Sequence, residues 1–170
     1  MPGERYAECC ISEHDRFGGG SVMVWAGIWH GGRTAVVVIK GTLDGKRYLS
    51  EILAPVVLPT VAENNLIFQD DNACPHRSQQ VTTAFVRSGI EHLLWPSRSP
   101  DLSPIEHAWG ELGRRVRDSY AHLPTNIESL ATRLAEQWEC IEQDRLNVLC
   151  ASMKRKIRDC INERGGHTRY

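Results

Sequence analysis

Two compact apolar runs open the patterned part of the chain. Ser21-Val-Met-Val-Trp-Ala-Gly-Ile-Trp29 lies between the breakers Gly18-Gly-Gly20 and His30-Gly-Gly-Arg33, and Thr34-Ala-Val-Val-Val-Ile39 follows directly. Runs of this length, rich in Val, Ile and Trp and bounded by glycine, predict two strands joined by a tight turn, a β-hairpin. Neither run alternates with polar residues. Both faces are therefore expected under cover, as in a sheet with helices on each side. Residues 1–17 are polar and without period, which predicts a loop or a frayed start.

Beyond a turn around Gly41–Gly45 the spacing changes. Tyr48, Leu49, Ile52, Leu53, Val56 and Val57 recur at helical intervals, and Pro55 and Pro59 are expected to kink or end that helix. Leu66-Ile-Phe68 predicts a short buried strand running into Gln69-Asp-Asp-Asn72. A helix over about 76–88 should stop at Gly89, and Ile90–Trp95 reads as another strand. The proline-punctuated loop Pro96–Pro104 leads to a helix over about 104–118, with two more at about 125–142 and 145–164. Strand, strand, helix, strand, helix, strand, helix and then extra helices is the order of an α/β arrangement in three layers. No repeat, low-complexity tract or linker divides residues 1–170, which read as one domain.

At 170 residues the chain can bury a sizeable core, and its 41% apolar and 24% charged residues are the balance of an ordinary soluble globular protein. No run approaches the roughly 18–20 apolar residues that span a membrane. Met1-Pro-Gly-Glu-Arg5 lacks the apolar stretch of a secretory signal, so an intracellular protein is expected. Six scattered cysteines without a C-x-x-C pair argue against a disulfide framework or a zinc ribbon, and reduced thiols are expected. Cys74 and His76 are near enough in sequence to share a metal. The formal charge of −1 is not that of a polycation made for nucleic acid. It is uneven, however: seven basic residues stand against two acids from Arg145 to Tyr170, and Arg114, Arg115 and Arg117 form a second cluster. Both clusters suit solvated helix faces, and both are compatible with local phosphate contact, with Arg114, Arg115, Lys154, Arg155 and Lys156 as the candidates.

Several chemistries can be set aside. Gly41-Thr-Leu-Asp-Gly-Lys-Arg47 is one residue short of a phosphate loop and has Arg where a magnesium-binding Ser or Thr belongs. There is no G-x-S-x-G elbow and no H-E-x-x-H. Carboxylates remain. Asp71 is placed just past the end of a buried strand, where α/β folds set their ligand sites. Glu106 is placed in the first turn of a later helix. Two such groups suit hard divalent cations, and paired Mg²⁺ or Mn²⁺ ions are suited to phosphoryl transfer. Each residue also has a plain structural role open to it. Asp70, Asp71 and Asn72 suit an Asx turn, and Ser103-Pro-Ile-Glu106 suits a capping box with proline at the first helical position. Trp25, Trp95 and Trp109 suit packing better than base stacking.

Three motifs in order decide between these roles. Gly18-Gly-Gly-Ser-Val-Met-Val-Trp-Ala-Gly27, Phe68-Gln-Asp-Asp-Asn-Ala-Cys-Pro-His76 and Trp95-Pro-Ser-Arg-Ser-Pro-Asp-Leu-Ser-Pro-Ile-Glu-His-Ala-Trp109 resemble the strand, second-aspartate and glutamate motifs of Tc1/mariner-type DNA transposases. The 34 residues between Asp71 and Glu106 match the spacing of the Tc1 branch, and Gly165–Tyr170 resembles the family's ending. The resemblance covers about residues 2–170. It implies an RNase H-like α/β fold, a mixed sheet flanked by helices with extra C-terminal helices, and an activity that cuts and rejoins DNA. It implies Asp71 and Glu106 as the second and third metal ligands, Mg²⁺ or Mn²⁺ in a two-metal site, transposon-end DNA as partner, and a nuclear location. A homodimer or a full-length transposase is a further expected partner.

Asp70 departs from this pattern. It stands where relatives usually have Gln, and either adds a charge beside the site or faces solvent. The family's first catalytic Asp lies on the first, central strand, upstream of the stretch beginning at Pro2. Nothing in these 170 residues is matched to it, since Asp15 and Asp44 fall elsewhere. The N-terminal helix-turn-helix modules are likewise unmatched. The expectation is a catalytic domain lacking its first strand, with neighbouring ladder edges left open and catalysis impaired. The alternatives are an active enzyme completed by a longer isoform or partner chain, and a domesticated module that binds DNA or protein without cutting.

Overall fold

A computed structural model of the chain describes residues 22–93, 95, 99, 102–119 and 124–163. The polar start, the Gly18–Gly20 breaker, most of the proline-punctuated loop and the Gly165–Tyr170 ending fall outside those residues.

The predicted hairpin is present but finely broken. Strand β1 (Met23–Trp25) pairs antiparallel with β4 (Val37–Ile39), Met23 opposite Ile39 and Trp25 opposite Val37. Strand β2 (Ile28–Trp29) pairs with β3 (Gly32–Arg33) around the two residues His30 and Gly31, the latter at φ +100°. Between these ladders Thr34 takes over the pairing. Its hydroxyl accepts the Gly27 N–H at 2.8 Å, and its own N–H donates to the Gly27 carbonyl at 2.9 Å.

The next helix does not stop at its prolines. Helix α1 (Gly45–Arg47), a wide-turned helix (Tyr48–Val57) and α2 (Leu58–Glu63) run end to end. Pro55 has no N–H and would crowd the carbonyl four residues back. Turns that bond five residues apart absorb it, and the Leu58 N–H reaches the Leu53 carbonyl. Pro59 sits in the first turn of α2, where a missing N–H costs little.

The two short strands expected at 66–68 and 90–95 reduce to one parallel bridge, Phe68 to His92. The Phe68 N–H donates to the Glu91 carbonyl at 2.9 Å, and its carbonyl accepts from the Leu93 N–H at 2.8 Å. A short 3₁₀ turn (Cys74–Arg77) precedes α3 (Gln79–Ser88), which ends where predicted on a left-handed Gly89. Helix α4 (Pro104–Asp118) matches the predicted span, and α5 (Ile127–Glu139) starts with a reciprocal cap between Asn126 and Ser129. The last predicted helix is divided into α6 (Gln143–Ala151) and α7 (Met153–Asn162). Ser152 sits at the break and turns its hydroxyl onto the Leu149 carbonyl at 2.7 Å.

Alternation along β1 divides two cores, as its unbroken apolar character predicts. Val22, Val24 and Ala26 face one side, packed with Trp109 and Leu112 of α4, Trp138 of α5 and Leu146 of α6. Met23, Trp25 and Ile39 face the other, against Tyr48, Ile52, Leu53 and Val57 and against Val81 and Phe85 of α3. Trp25 and Trp109 are thus core residues, and Trp109 lies 5.1 Å from Trp138 ring to ring. Burying each large side chain contributes about 1.5–3 kcal/mol. Helices cover the hairpin on both faces.

Candidate metal centre

After Phe68 the chain leaves its bridge and bends through Asp70-Asp71-Asn72, with Asn72 in the left-handed region at φ 65°. Asparagine tolerates that conformation, and its side-chain amide fixes the bend by donating to the Trp95 carbonyl. Both aspartates accept backbone N–H groups two residues on: Asp70 Oδ1 from Asn72 and Asp71 Oδ1 from Ala73, each at 2.9 Å. The turn role open to these residues is therefore filled. More is built on top of it.

Asp70 faces inward, neither exposed nor idle. Its side chain is 4% exposed, and Arg77 Nη2 donates to Oδ1 at 2.9 Å. His92 Nε2 stands 3.1 Å from Oδ2 but out of line for a directed hydrogen bond. Burial works to raise the Asp70 pKa. The His92 contact, the nearby His76 and Arg77 and the Asn72 N–H outweigh it and hold the carboxyl below its ordinary value.

Asp71 is partly open, with its side chain 19% exposed. His76 Nδ1 lies 3.0 Å from Asp71 Oδ1, and the described hydrogen bonds of this carboxylate all fall on that oxygen. Burial pushes its pKa up, but the His76 contact and the Ala73 N–H win and keep it low. His76 itself is buried, its ring 4.2 Å from that of Tyr48. It was not singled out from the sequence as a partner of Asp71. The signal was there in the Asp-x-x-x-x-His spacing, with Pro75 helping to start the 3₁₀ turn that brings His76 back. Cys74, by contrast, is exposed, and His76 turns to the carboxylates instead.

A cleft of about 240 Å³ opens over this bend. Trp25–Trp29 form one wall, Leu66–Asp71 and His76 another, and Ser103, Pro104 and Ile105 close one end. Glu106 follows as the next residue of α4, half-buried in its first turn. Ser103 is the N-cap by its backbone, but its side chain makes no capping bond, so the reciprocal box predicted with Glu106 is not formed from that side.

The basic candidates separate. Arg114, Lys154 and Arg155 are exposed, whereas Arg115 is held by Glu111 at 3.1 Å, and Arg145 takes the other Glu111 oxygen at 3.1 Å. Lys156 corrects the expectation of a surface cation. It is 3% exposed, and its Nζ lies 2.7 Å from His107 Nε2 on α4. Lys156 marks the buried side of α7, while Ile157 and Ile161 of the same helix are exposed.

Comparison with known proteins places this arrangement. Residues 2–128 match the family described as DDE superfamily endonuclease. The chain is 36% identical over 175 residues to the transposable element Tcb1 transposase of Caenorhabditis briggsae and 33% identical over 174 to the Tc1 transposase of Caenorhabditis elegans, each alignment taking in 99% of this chain and 61% of the relative. It thus spans about three-fifths of the length of these relatives. The crystal structure of the catalytic domain of Mos1 mariner transposase superposes at a TM-score of 0.79, with 18% identity, covering 94% of this chain and 82% of that one. Mos1 catalytic domain with raltegravir and Mn (TM-score 0.76, 18% identity, 94% and 82%) and the Mos1 paired-end complex with left transposon end (0.76, 18%, 98% and 49%) share the fold. The mixed α/β architecture is thus the RNase H-like one of these catalytic domains. The chain belongs to the family described as DDE superfamily endonuclease, and the Tc1-type transposases are among its relatives in sequence.

Proposed function

We propose that Asp71 and Glu106 are the second and third carboxylates of a divalent-metal site for cutting and rejoining DNA, and that the 170-residue chain by itself is catalytically impaired. One observation supports the pairing: the cleft lined by Asp70 and Asp71 is also lined by Ser103, Pro104 and Ile105, so the start of α4 borders the same space. The donor set fits. Carboxylate oxygens suit Mg²⁺ and Mn²⁺, and Asp71 keeps Oδ2 out of its described hydrogen bonds while a lowered pKa keeps it ionised near neutral pH. A bound metal pair would activate the attacking oxygen and stabilise the leaving one.

The chain's own residues supply placement. The Ala73 N–H and His76 fix the Asp71 rotamer, and the α4 N-terminus favours the Glu106 anion. Impairment is inferred from the carboxylate count. Two acids hold up to four positive charges, and misplacing reacting groups by about 1 Å can cost on the order of 10²-fold in rate. A third carboxylate would come from a longer transposase chain or a partner copy. Arg114, Lys154 and Arg155 would hold duplex DNA weakly, in the nucleus. The Mos1 neighbours with Mn and with left transposon end support the choice of metal and of DNA as partner.

The test is a nicking assay on supercoiled plasmid in Mg²⁺ and in Mn²⁺, with the chain and its Asp71→Ala and Glu106→Ala variants. Background nicking in all three is expected. Metal-dependent nicking that disappears in both variants would uphold the pair and sink the impairment. In an NMR titration with Mg²⁺, amide shifts should appear at both 71 and 106 and vanish at both in either variant. Shifts at only one position would overturn the pairing. Tight, sequence-selective DNA binding with neither metal shifts nor nicking would favour a non-catalytic binding module.

A further inference from the structure

Beside the Asp71–Glu106 pair, a second set of side chains converges. Asp70, Asp71 and His76 each offer one ligand atom, and the three atoms lie within 4.8 Å of one another. Gathered carboxylates alone say little, because Asx turns collect them anyway. Asp70 Oδ2 says more. Its side chain is 96% buried, and among the described residues this oxygen makes no directed hydrogen bond, His92 Nε2 standing 3.1 Å away as an ion-pair contact. A buried carboxylate oxygen without a donor is costly, and a cation is one way to satisfy it.

The spacings suit a single ion. His76 Nδ1 lies 3.0 Å from Asp71 Oδ1 and 3.9 Å from Asp70 Oδ2. Ligand atoms about 2.1 Å from one ion sit about 3.0 Å apart at a right angle and about 4.2 Å apart when opposed. Both His76 separations fall within that range, and since all three atoms lie within 4.8 Å of one another, the two carboxylates need draw together by no more than about 0.6 Å around an ion. Arg77 grips the other Asp70 oxygen, which turns Oδ2 inward as outer partners of metal ligands do. His76 is buried against Tyr48 and already presents Nδ1 to the carboxylates.

We propose that Asp70, Asp71 and His76 form a site for one divalent first-row transition ion, selected over Mg²⁺. An imidazole nitrogen with carboxylate oxygens suits Mn²⁺, Co²⁺ or Zn²⁺, whereas Mg²⁺ holds to oxygen and sheds water reluctantly. To bind, the ring keeps its proton on Nε2 and gives the Nδ1 lone pair to the ion. The site shares Asp71 with the proposed catalytic pair and does not depend on Glu106.

Tag-free chain titrated with Co²⁺ and followed by visible absorption tests this. One tight equivalent is expected to bind, apart from any weaker Co²⁺ at the Asp71–Glu106 pair. Asp70→Asn and His76→Gln should each weaken the tight binding at least tenfold, the exposed Arg114→Ala should leave it unchanged, and a tenfold excess of Mg²⁺ should not displace it. Co²⁺ binding that survives Asp70→Asn and His76→Gln, or is lost only in Glu106→Gln, would overturn the proposal, as would equal displacement by Mg²⁺. The Mg²⁺ shifts at 71 and 106 answer separately for the catalytic pair. Should either variant lose its circular dichroism spectrum, the wild-type protein decides. On Zn²⁺ addition the ¹⁵N resonance of His76 Nδ1 should move to its metal-bound position, and an unmoved resonance refutes the site.

Discussion

The Lys156 ammonium lies 2.7 Å from His107 Nε2, on the side of α7 turned toward α4. Burial, then the charges of Lys156 and Arg145, lower the His107 pKa, so at neutral pH this ring is uncharged and Nε2 can accept a hydrogen bond from the ammonium. A histidine whose pKa is depressed favours folding fully above its ordinary value of about 6.5 and loses that contribution as pH falls toward the folded value. In Lys156→Met the His107 pKa should rise, but only part of the way, because burial is the larger cause. An NMR titration of the His107 ring reads this directly; an unchanged pKa would mean that the ammonium does not sense the ring.

The Asp70–Asp71 bend should govern acid stability. Both pKa values are lowered in the folded protein, so the stabilisation is present above the unfolded value of about 3.9 and is lost as pH falls through the lower folded values. Asp70→Asn should flatten the acid limb of a stability-versus-pH curve. At pH 7 it should also cost about 1–3 kcal/mol, since Arg77 would lose its carboxylate partner. Urea melts between pH 2.5 and 7 would show it, and parallel curves for the two proteins would contradict the assignment.

Arg33 fastens the hairpin to the C-terminal helices. Its Nη1 donates to the Trp138 carbonyl at 2.8 Å and the Ile141 carbonyl at 2.6 Å, while Trp138 Nε1 donates back to the Thr34 carbonyl at 2.8 Å. A guanidinium at the end of α5 meets carbonyls of the helix C-terminus, Trp138's also accepting the Ile141 N–H at 3.2 Å, and it meets the negative end of the helix dipole. Arg33→Ala should therefore lower unfolding free energy by about 1.5–3 kcal/mol. Arg33→Lys should recover only part, because a lysine cannot present the fork. A full recovery by lysine would show that charge alone matters.

Local rules explain what the sequence made legible. The α4 span follows from Ser103-Pro104 at its start, the α3 stop from Gly89, and the covered hairpin from apolar residues on both faces of residues 22–39. Asp71 and Glu106 stand out as candidates by motif and spacing. What escaped depends on distant partners. Pro55 reads as a breaker until wide turns absorb it, and Leu66–Phe68 reads as a strand although its ladder is one bridge to His92. Lys156 belongs to a basic run, and only the packing of α7 shows that it points inward. The link from His76 to Asp71 needs a 3₁₀ turn that proline suggests but spacing alone does not fix.

Binding to duplex DNA should be weak, indifferent to sequence and steeply dependent on salt. Each phosphate neutralised contributes a slope of about −0.9 in log K against log salt. Arg114 is exposed on α4 and, among the described residues, its Nε makes a long 3.4 Å contact to the Gly110 carbonyl, so its guanidinium can turn to a phosphate. Arg115 is tied to Glu111, and Lys156 is buried, which removes both from the first rank of contacts. Arg114→Ala should therefore reduce the slope by about one unit, while Lys156→Met leaves it unchanged. Fluorescence anisotropy with two unrelated 20-base-pair duplexes at several salt concentrations would measure both slopes. A slope lost in Lys156→Met but kept in Arg114→Ala would mean that α7 turns its buried cation outward on DNA.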